Sequence, residues 1–463
     1  MYRDPVPSLE APLLPSSDAA MRPLRVGMIG IGTVGAGTFR VLARNQALIA
    51  GRAGRGIKLV VVCARSLARA MRVVGKDVAL TNDPMQVATH PDVDVLVEVA
   101  GGTGPARDWV LAAIRAGKHV VTANKALLAV HGNEIFAAAR QHGVAVAYEG
   151  AVAVSIPIVK ALREGLTANR IDWVAGIING TTNFILSQMR DQGMGFAEAL
   201  AQAQALGYAE ADPTFDIEGI DAAHKISLLA ANAFGMPVRF ADAQVEGITA
   251  LQGLDVACAE QLGFRIKLLG MARRRDDAGA NGVELRVQPA LLPATHLLAQ
   301  VNGSMNAVVV KGDAAGETLF YGAGAGSEQT ASAVIADLVD VARLDGTHAA
   351  QRVPHLGFHA HAVNEDLAVL PRAAVHTRHY LRVPVHSAAQ IEAVGAWLAA
   401  QQVPVARVAL ACESSLPAGA GPQVLVLTDA VGQATVDLAV HALAAHPAVA
   451  GAVVALRVEM LEG

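Results

Sequence analysis

The chain has 463 residues, 53% of them hydrophobic and 17% charged, with a formal net charge of −4. That length predicts about three domains; the composition excludes a disordered chain, and the lack of a basic block argues against a nucleic-acid partner. The three widely spaced cysteines, Cys63, Cys258 and Cys412, form neither a disulfide framework nor a metal spacing and point to a reducing, cytoplasmic setting.

Residues 1–20 are rich in Pro, Ser and Ala and read as a disordered tail, with Met21 an alternative start. From 21 to 150 strands alternate with helices: LRVGMI, IKLVVVC, VDVLVEV, KHVVT and VAVAYEG, separated by segments such as ARDWVLAAIRAG. That alternation predicts a Rossmann-type, doubly wound parallel sheet. The most apolar stretch, VAVAYEGAVAVSIPIVKAL, is interrupted by Glu149 and Pro157, short of the ~18 apolar residues a membrane span needs. From 151 to 319, strands such as RIDWVAGII mix with helices such as IDAAHKISLLAANAF, which predicts an α+β domain with an antiparallel sheet. Residues 320–350, a Gly-rich turn and a long helix, are expected to return to the first domain. Residues 351–374 read as a linker, and 375–463 follow the order βαββαβ of a ferredoxin-like domain.

GIGTVG places Gly30, Gly32 and Gly35, with Ile31, Thr33 and Val34 between them, in the G-x-G-x-x-G spacing. It follows a strand and opens a helix, the context in which free helix N–H groups receive a pyrophosphate. The second strand ends at Cys63, Ala64, Arg65 and Ser66. An acid there would bind a ribose hydroxyl of NAD, whereas Arg65 suits the 2′-phosphate of NADP, so NADP is favoured over NAD. Lys125, in TANKA just after a strand, is positioned to reach the nicotinamide; taken alone it equally fits a solvated loop.

GYAEADPTFDIEGIDAAHK crowds Glu210, Asp212, Asp216, Glu218 and Asp221 ahead of Lys225. Asp221 and Lys225 are four apart on a predicted helix. The plain reading is a surface ion pair worth ~0.3–0.5 kcal/mol; Leu228 and Leu229, one turn on, point instead to burial.

Across these motifs, together with VEVAGGTGPA, IPIVKALREGL, GIINGTTNFIL and GAGSEQTASAVIADL, the chain resembles homoserine dehydrogenase in the form that carries an ACT domain. The resemblance implies NAD(P)-dependent interconversion of L-homoserine and L-aspartate 4-semialdehyde, in the biosynthesis of threonine, methionine and isoleucine. It implies Lys125 and Lys225 as catalytic lysines, Glu210, Asp216 and Asp221 as substrate-pocket acids, and Gly180 and Thr181 as a substrate-binding turn. Asp212 and Glu218 are expected in solvent. Further cofactor contacts are expected at Gly101, Thr103, Thr122, Lys125, Gly324 and Gly326. A homodimer or homotetramer and a threonine effector are implied as well. Acids suit the substrate's ammonium and N–H donors its carboxylate. A lysine acting as base must lose ~3 pKa units, about 4 kcal/mol; burial and a second ammonium lower its pKa, and Asp221 opposes them. Lys225 is expected to carry the proton and Lys125 to orient and polarise.

Two stretches depart from the family. Its Glu-Ala-x-Val-x-Gly-Gly-Ile-Pro junction, where backbone carbonyls hold a monovalent cation (sodium or potassium), here reads EGAVAVSIP. The cation would meet Glu149, Val152, Val154 and Ile156, but Val154 and Ser155 replace the glycines, and a left-handed backbone at Val154 would be strained. The first ACT turn reads HSAAQIEAV, His386–Val394, without the family's Gly and Pro. These departures keep an alternative open, a catalytically impaired nucleotide- or amino-acid-sensing regulator of the same fold.

Overall fold

The computed structural model describes residues 21–277, 280–416 and 420–461; the predicted tail lies outside them. Six parallel strands, β1 (Leu24–Ile29), β2 (Ile57–Cys63), β3 (Ala79–Thr81), β4 (Val95–Glu98), β5 (His119–Thr122) and β6 (Val146–Ala147), form one sheet in the order 3-2-1-4-5-6. This is the strand order of dinucleotide-binding sheets, with the strand order reversing between β1 and β4. Its strands are apolar runs because helices cover both faces. β3 escapes the sequence reading because ALT is too short to show a period.

Among the described residues the second sheet has eleven strands. β7 (Ile171–Ile177), β8 (Gln244–Val245), β9 (Phe264–Asp277), β10 (Ala280–Pro293), β11 (Met305–Gly312) and β12 (Gly316–Ala323) make its first part, in the order β12-β11-β7-β9-β10, all antiparallel, with β8 against β10. Because β12 runs to Ala323, the chain leaves this sheet after Ala323 and not at residue 320 as expected. The helix Ser327–Arg343 then packs Ala331, Val334 and Leu338 into one core with Val26, Met28 and Leu42 of the first sheet's side.

The C-terminal unit continues the same sheet. β13 (His376–Pro384), β14 (Val405–Leu410), β15 (Gln423–Thr428), β16 (Val431–Gly432) and β17 (Val454–Val458) alternate with helices Ile391–Ala400 and Gln433–Leu443. The order β17-β13-β15-β14 is the fourth-first-third-second arrangement of a ferredoxin-like unit. β17 pairs in parallel with β10, Ala290 to Arg457 and Leu291 to Val458, so two sheets expected to be separate are one. The stretch read as a linker is pinned at both ends. Tyr148 Oη donates to the His355 carbonyl (2.8 Å), and the Ala368–Leu370 backbone bonds both ways to Val283 (2.9 Å each).

Candidate active site

On the first domain's side, the three turn glycines face three different constraints. Gly30 has φ +103°, and a Cβ there would come within 2.8 Å of the Val99 backbone. A Cβ on Gly35 would sit 2.2 Å from the Gly30 carbonyl oxygen, so close helix–strand packing excludes it. Gly32, the N-cap of helix Thr33–Arg44, has nothing within 4 Å of a Cβ position and leaves the helix N–H groups open. A cleft of 580 Å³ runs from Gly30, Ile31 and Gly32 past Cys63, Arg65, Ser66 and Arg69 to Ala100 and Gly101. A pyrophosphate at Gly32 with a ribose near Arg65 fits this shape. Exposed Thr33 and half-buried Val34 belong to the first turn of the same helix.

The remaining expected cofactor residues divide. Gly324 and Gly326 lead into helix Ser327–Arg343, and Ser327 Oγ donates to the Thr33 carbonyl (2.7 Å), which brings this loop against the glycine turn. Gly324 is fixed by a close neighbour, since a Cβ would fall 1.9 Å from Asn306 Nδ2. Gly101, with φ +80°, lines the cleft, and Thr103 is the N-cap residue of helix Gly104–Arg115 without a side-chain capping bond. Thr122 is a correction: its hydroxyl is fully buried and donates to Glu98 Oε2 (2.8 Å), so it braces the loop instead of facing the cleft. Glu98 itself was missed. Its other oxygen accepts Ala100 N–H (2.9 Å) and Gly101 N–H (3.0 Å) and shapes the exit of β4. Its signal in the sequence is the single acid of the apolar run VLVEVAGG.

Across the cleft, Asn124 caps helix Lys125–Gln141 through Leu127 N–H (3.1 Å) and ties to the Gly102 carbonyl (2.7 Å), so Lys125 opens the helix at a fixed point. Its Nζ meets Asp221 Oδ1 at 2.8 Å and its side chain is a third exposed. Lys225 Nζ reaches the other oxygen of Asp221 at 2.7 Å and donates to the Ile178 carbonyl (2.7 Å). Both Asp221 and Lys225 are buried, so the pair is not the exposed ion pair of the plain reading. Asn179, a second residue missed, donates to Asp216 (2.7 Å) and Asp221 (2.9 Å) while capping helix Gly180–Asp191 through Thr182 N–H (2.8 Å). Gly180 has no room for a side chain, because a Cβ would lie 2.7 Å from the Ser304 carbonyl oxygen. Thr181 Oγ1 lies 2.6 Å from the Tyr208 carbonyl and 3.1 Å from Asp216 Oδ2. Glu210 stands exposed at the mouth. Asp212 is exposed, as expected, and caps Thr214 N–H (3.1 Å); Glu218 is half-buried, deeper than expected.

The shared carboxylate gives the two lysines opposite shifts. Burial alone would raise the Asp221 pKa, but the two ammonium groups outweigh it and hold the group ionised well below the usual range. At Lys125 burial lowers the pKa, yet Asp221, with Asp216 and Glu210 behind it, prevails and raises it. At Lys225 burial prevails over Asp221, Lys125 adds repulsion, and the pKa falls below its ordinary value. Asp216 is raised, by burial first and then by the charge of Asp221.

At the junction, Glu149 is buried, with Oε1 accepting Val159 N–H (2.9 Å) and Oε2 accepting Lys160 N–H (2.8 Å). Its own N–H donates to Asp337 (2.9 Å) on the helix that returns to the first domain. Val152 and Ile156 are buried, and Val154 has φ +57°, the left-handed backbone that is strained for a β-branched residue. Among the described residues no group of three or more His, Cys, Asp or Glu could hold a metal ion, and no helix is long and apolar enough to cross a membrane.

The geometry has relatives. Residues 30–149 match the NAD-binding domain of homoserine dehydrogenase, and residues 157–339 match the homoserine dehydrogenase family model. A homoserine dehydrogenase of Pseudomonas aeruginosa is 52% identical over 441 residues, covering 95% of this chain and 100% of its own. The chain belongs to the homoserine dehydrogenase family. It is therefore an oxidoreductase of the CH–OH group with an NAD(P)-binding domain. The crystal structure of a homoserine dehydrogenase from Thiobacillus denitrificans superposes with a TM-score of 0.89 at 51% identity, over 95% of this chain and 99% of that one. A hyperthermophilic archaeal homoserine dehydrogenase in complex with NADPH shares the fold, with a TM-score of 0.58 at 24% identity, over 69% of this chain and 98% of its own.

Proposed function

We propose that the chain interconverts L-homoserine and L-aspartate 4-semialdehyde with Lys225 as the proton carrier and Lys125 as the polarising group. The observation that carries this is Asp221, one carboxylate held by two lysines of opposite tendency. Lys225, lowered by burial, is the one whose amine form is cheaper, so it accepts the hydroxyl proton in the oxidative direction and returns it in the reductive one. Lys125 stays an ammonium and stabilises negative charge developing on the substrate oxygen. The Gly180–Thr181 turn offers N–H groups to the substrate carboxylate, and Glu210 and Asp216 take its ammonium. A bound nicotinamide dinucleotide supplies the hydride acceptor, and its reduced form the donor. Exposed Arg65 and Arg69 along the cleft support NADP over NAD.

The same proposal takes in the cytoplasm as location and a sodium or potassium ion on the carbonyls of Glu149, Val152, Val154 and Ile156; the left-handed turn kept at Val154 supports that loop shape. It also takes in a homodimer or homotetramer. Edge strand β12, with Leu319 and Tyr321 exposed, supports assembly. Residues 375–463 serve as an ACT-like regulatory unit with threonine as effector; the turn at His386–Val394 closes without glycine through reciprocal capping of Ser387 and Gln390. The test is nicotinamide absorbance on purified protein with L-homoserine, NAD and NADP in separate tubes, with and without potassium. Homoserine-dependent reduction is expected, faster with NADP; cofactor binding without any reduction would move the chain to the regulator alternative.

A further inference from the structure

The seam between the catalytic sheet and the C-terminal unit holds a buried charge whose own hydrogen bonds go to neutral partners only. Arg457 of β17 is 5% exposed. Its Nε donates to Gln433 Oε1 (2.6 Å) and its Nη1 to Gln288 Oε1 of β10 (2.7 Å), both neutral partners. Its Nη2 has no hydrogen-bond partner among the described residues, nor has Nε2 of Gln288, itself 5% exposed. The neighbouring acids are engaged elsewhere. Glu459 pairs with Arg286 (2.6 Å), Glu284 with Arg286 (3.1 Å) and Arg275 (2.9 Å), and Asp437 with Arg372 (3.1 Å). Arg382, also buried on β13, meets Asp255 at 2.7 Å and shows what a compensated arginine looks like in this unit.

Arg457 and Gln288 line a cavity of 50 Å³ that is also lined by Arg372 and Glu246, half-exposed and paired with each other at 3.8 Å. One water needs ~10–15 Å³ of such space, so the cavity has room for a small multi-oxygen ion and is far too small for a nucleotide. His379, also on the lining, turns Nε2 to Gln433 Oε1 (3.1 Å). Its other nitrogen is then a lone pair in the neutral ring, so Arg457 and Gln288 are the buried donors. A guanidinium removed from water needs an anion or a full set of acceptors, and two residues already joined by one hydrogen bond each keep an unpartnered N–H group, which suits an oxyanion.

We propose that this seam cavity binds a small oxyanion, an inorganic phosphate or the carboxylate of a small organic acid, on Arg457 Nη2 and Gln288 Nε2. The ligand would join β10 of the catalytic sheet to β17 of the C-terminal unit. The site is distinct from the cofactor cleft and from the turn at His386–Val394, and it does not depend on the lysine roles proposed above.

The test is thermal unfolding of the full chain at constant ionic strength set by sodium chloride, with saturating NADP to fill the cofactor cleft. Phosphate and acetate are titrated separately, on the unmodified chain and on Gln288→Glu and Gln288→Leu. A saturable rise of a few degrees in the unmodified chain at millimolar ligand is expected. Phosphate alone would identify the inorganic ion; acetate as well would identify a carboxylate. Gln288→Glu supplies its own carboxylate to Arg457, so it should lose the response and melt no lower than the unmodified chain without ligand. Gln288→Leu removes one of the two donors and leaves the Arg457 charge, so it should weaken the response without abolishing it. No saturable rise with either ion, or a rise that persists unchanged in Gln288→Glu, would overturn the proposal.

Discussion

On the cofactor wall, Gly30, Gly32 and Gly35 offer mostly backbone, and the charged residues Arg65 and Arg69 stand in solvent at the rim. On the substrate wall, Asp221 and Lys225 are buried, and Asn179 and Thr181 tie the acids to one another. In the proposed reading, affinity on the first wall would be spread over many small N–H contacts, and chemistry on the second would depend on a few desolvated charges whose proton affinities are set by their neighbours. Single substitutions should therefore cost most on the substrate wall and least at the junction between the walls.

Lys225→Met tests the deepest of these charges. Turnover should fall ~10²–10⁴-fold, the usual worth of general acid–base catalysis, with little change in KM; near-normal turnover would remove Lys225 from the proton path. The pH profile of homoserine oxidation sharpens the contrast between the lysines. A lowered Lys225 pKa means more amine at a given pH, so the rate should rise with pH through an apparent pKa below the ordinary lysine value of ~10.4. A midpoint at or above that value would mean that Asp221 prevails over burial. On the cofactor wall, Arg65→Ser should cost NADP about tenfold to a hundredfold in kcat/KM, from a charged hydrogen bond of ~1.5–3 kcal/mol, and leave NAD nearly untouched. Equal losses for both cofactors would move Arg65 off the 2′-phosphate. Thr181→Val keeps the backbone N–H but removes the hydroxyl that holds Asp216 at 3.1 Å, and should raise the KM for homoserine about threefold to tenfold, as for one hydrogen bond of ~0.5–1.5 kcal/mol; a change in turnover alone would contradict a role in positioning the binding acid. Smallest is Val154→Gly, which relieves the left-handed β-branched residue and should stabilise by about 1 kcal/mol after the entropy of a new glycine is charged against it. An unchanged or lower melting temperature would show that the junction holds this backbone without strain.

What could be read from residue order was whatever depends on neighbours in the chain. The glycine turn, the parallel strands and the ferredoxin-like order are all set by local spacing, whereas the left-handed Val154 runs against the sterics of its own side chain and was raised only by likeness to a family that has glycine there. What escaped depends on contacts between distant segments. Thr122 has the same address on the loop whether its hydroxyl faces the cleft or Glu98, and only the packed structure chooses. Asn179 lay inside a quoted motif, but its two carboxylate partners come from 37 and 42 residues away. That Asp221 serves both lysines needs Lys125, which comes from the other domain. The union of the two sheets through β10 and β17 left no local mark, because each strand looks complete by itself.

That union gives the C-terminal unit a task independent of any ligand. The outer edge of β10 is covered in turn by β8, by the backbone near Val369 and by β17. A chain stopped before residue 375 would bare part of that edge, and it would strip Glu459 from buried Arg286. Arg286 would keep only Glu284, at 3.1 Å, and the open backbone N–H and C=O groups beside it would recruit strands from other molecules. Such a truncation would be expected to aggregate before its activity could be measured, which would make the unit a guard against self-association.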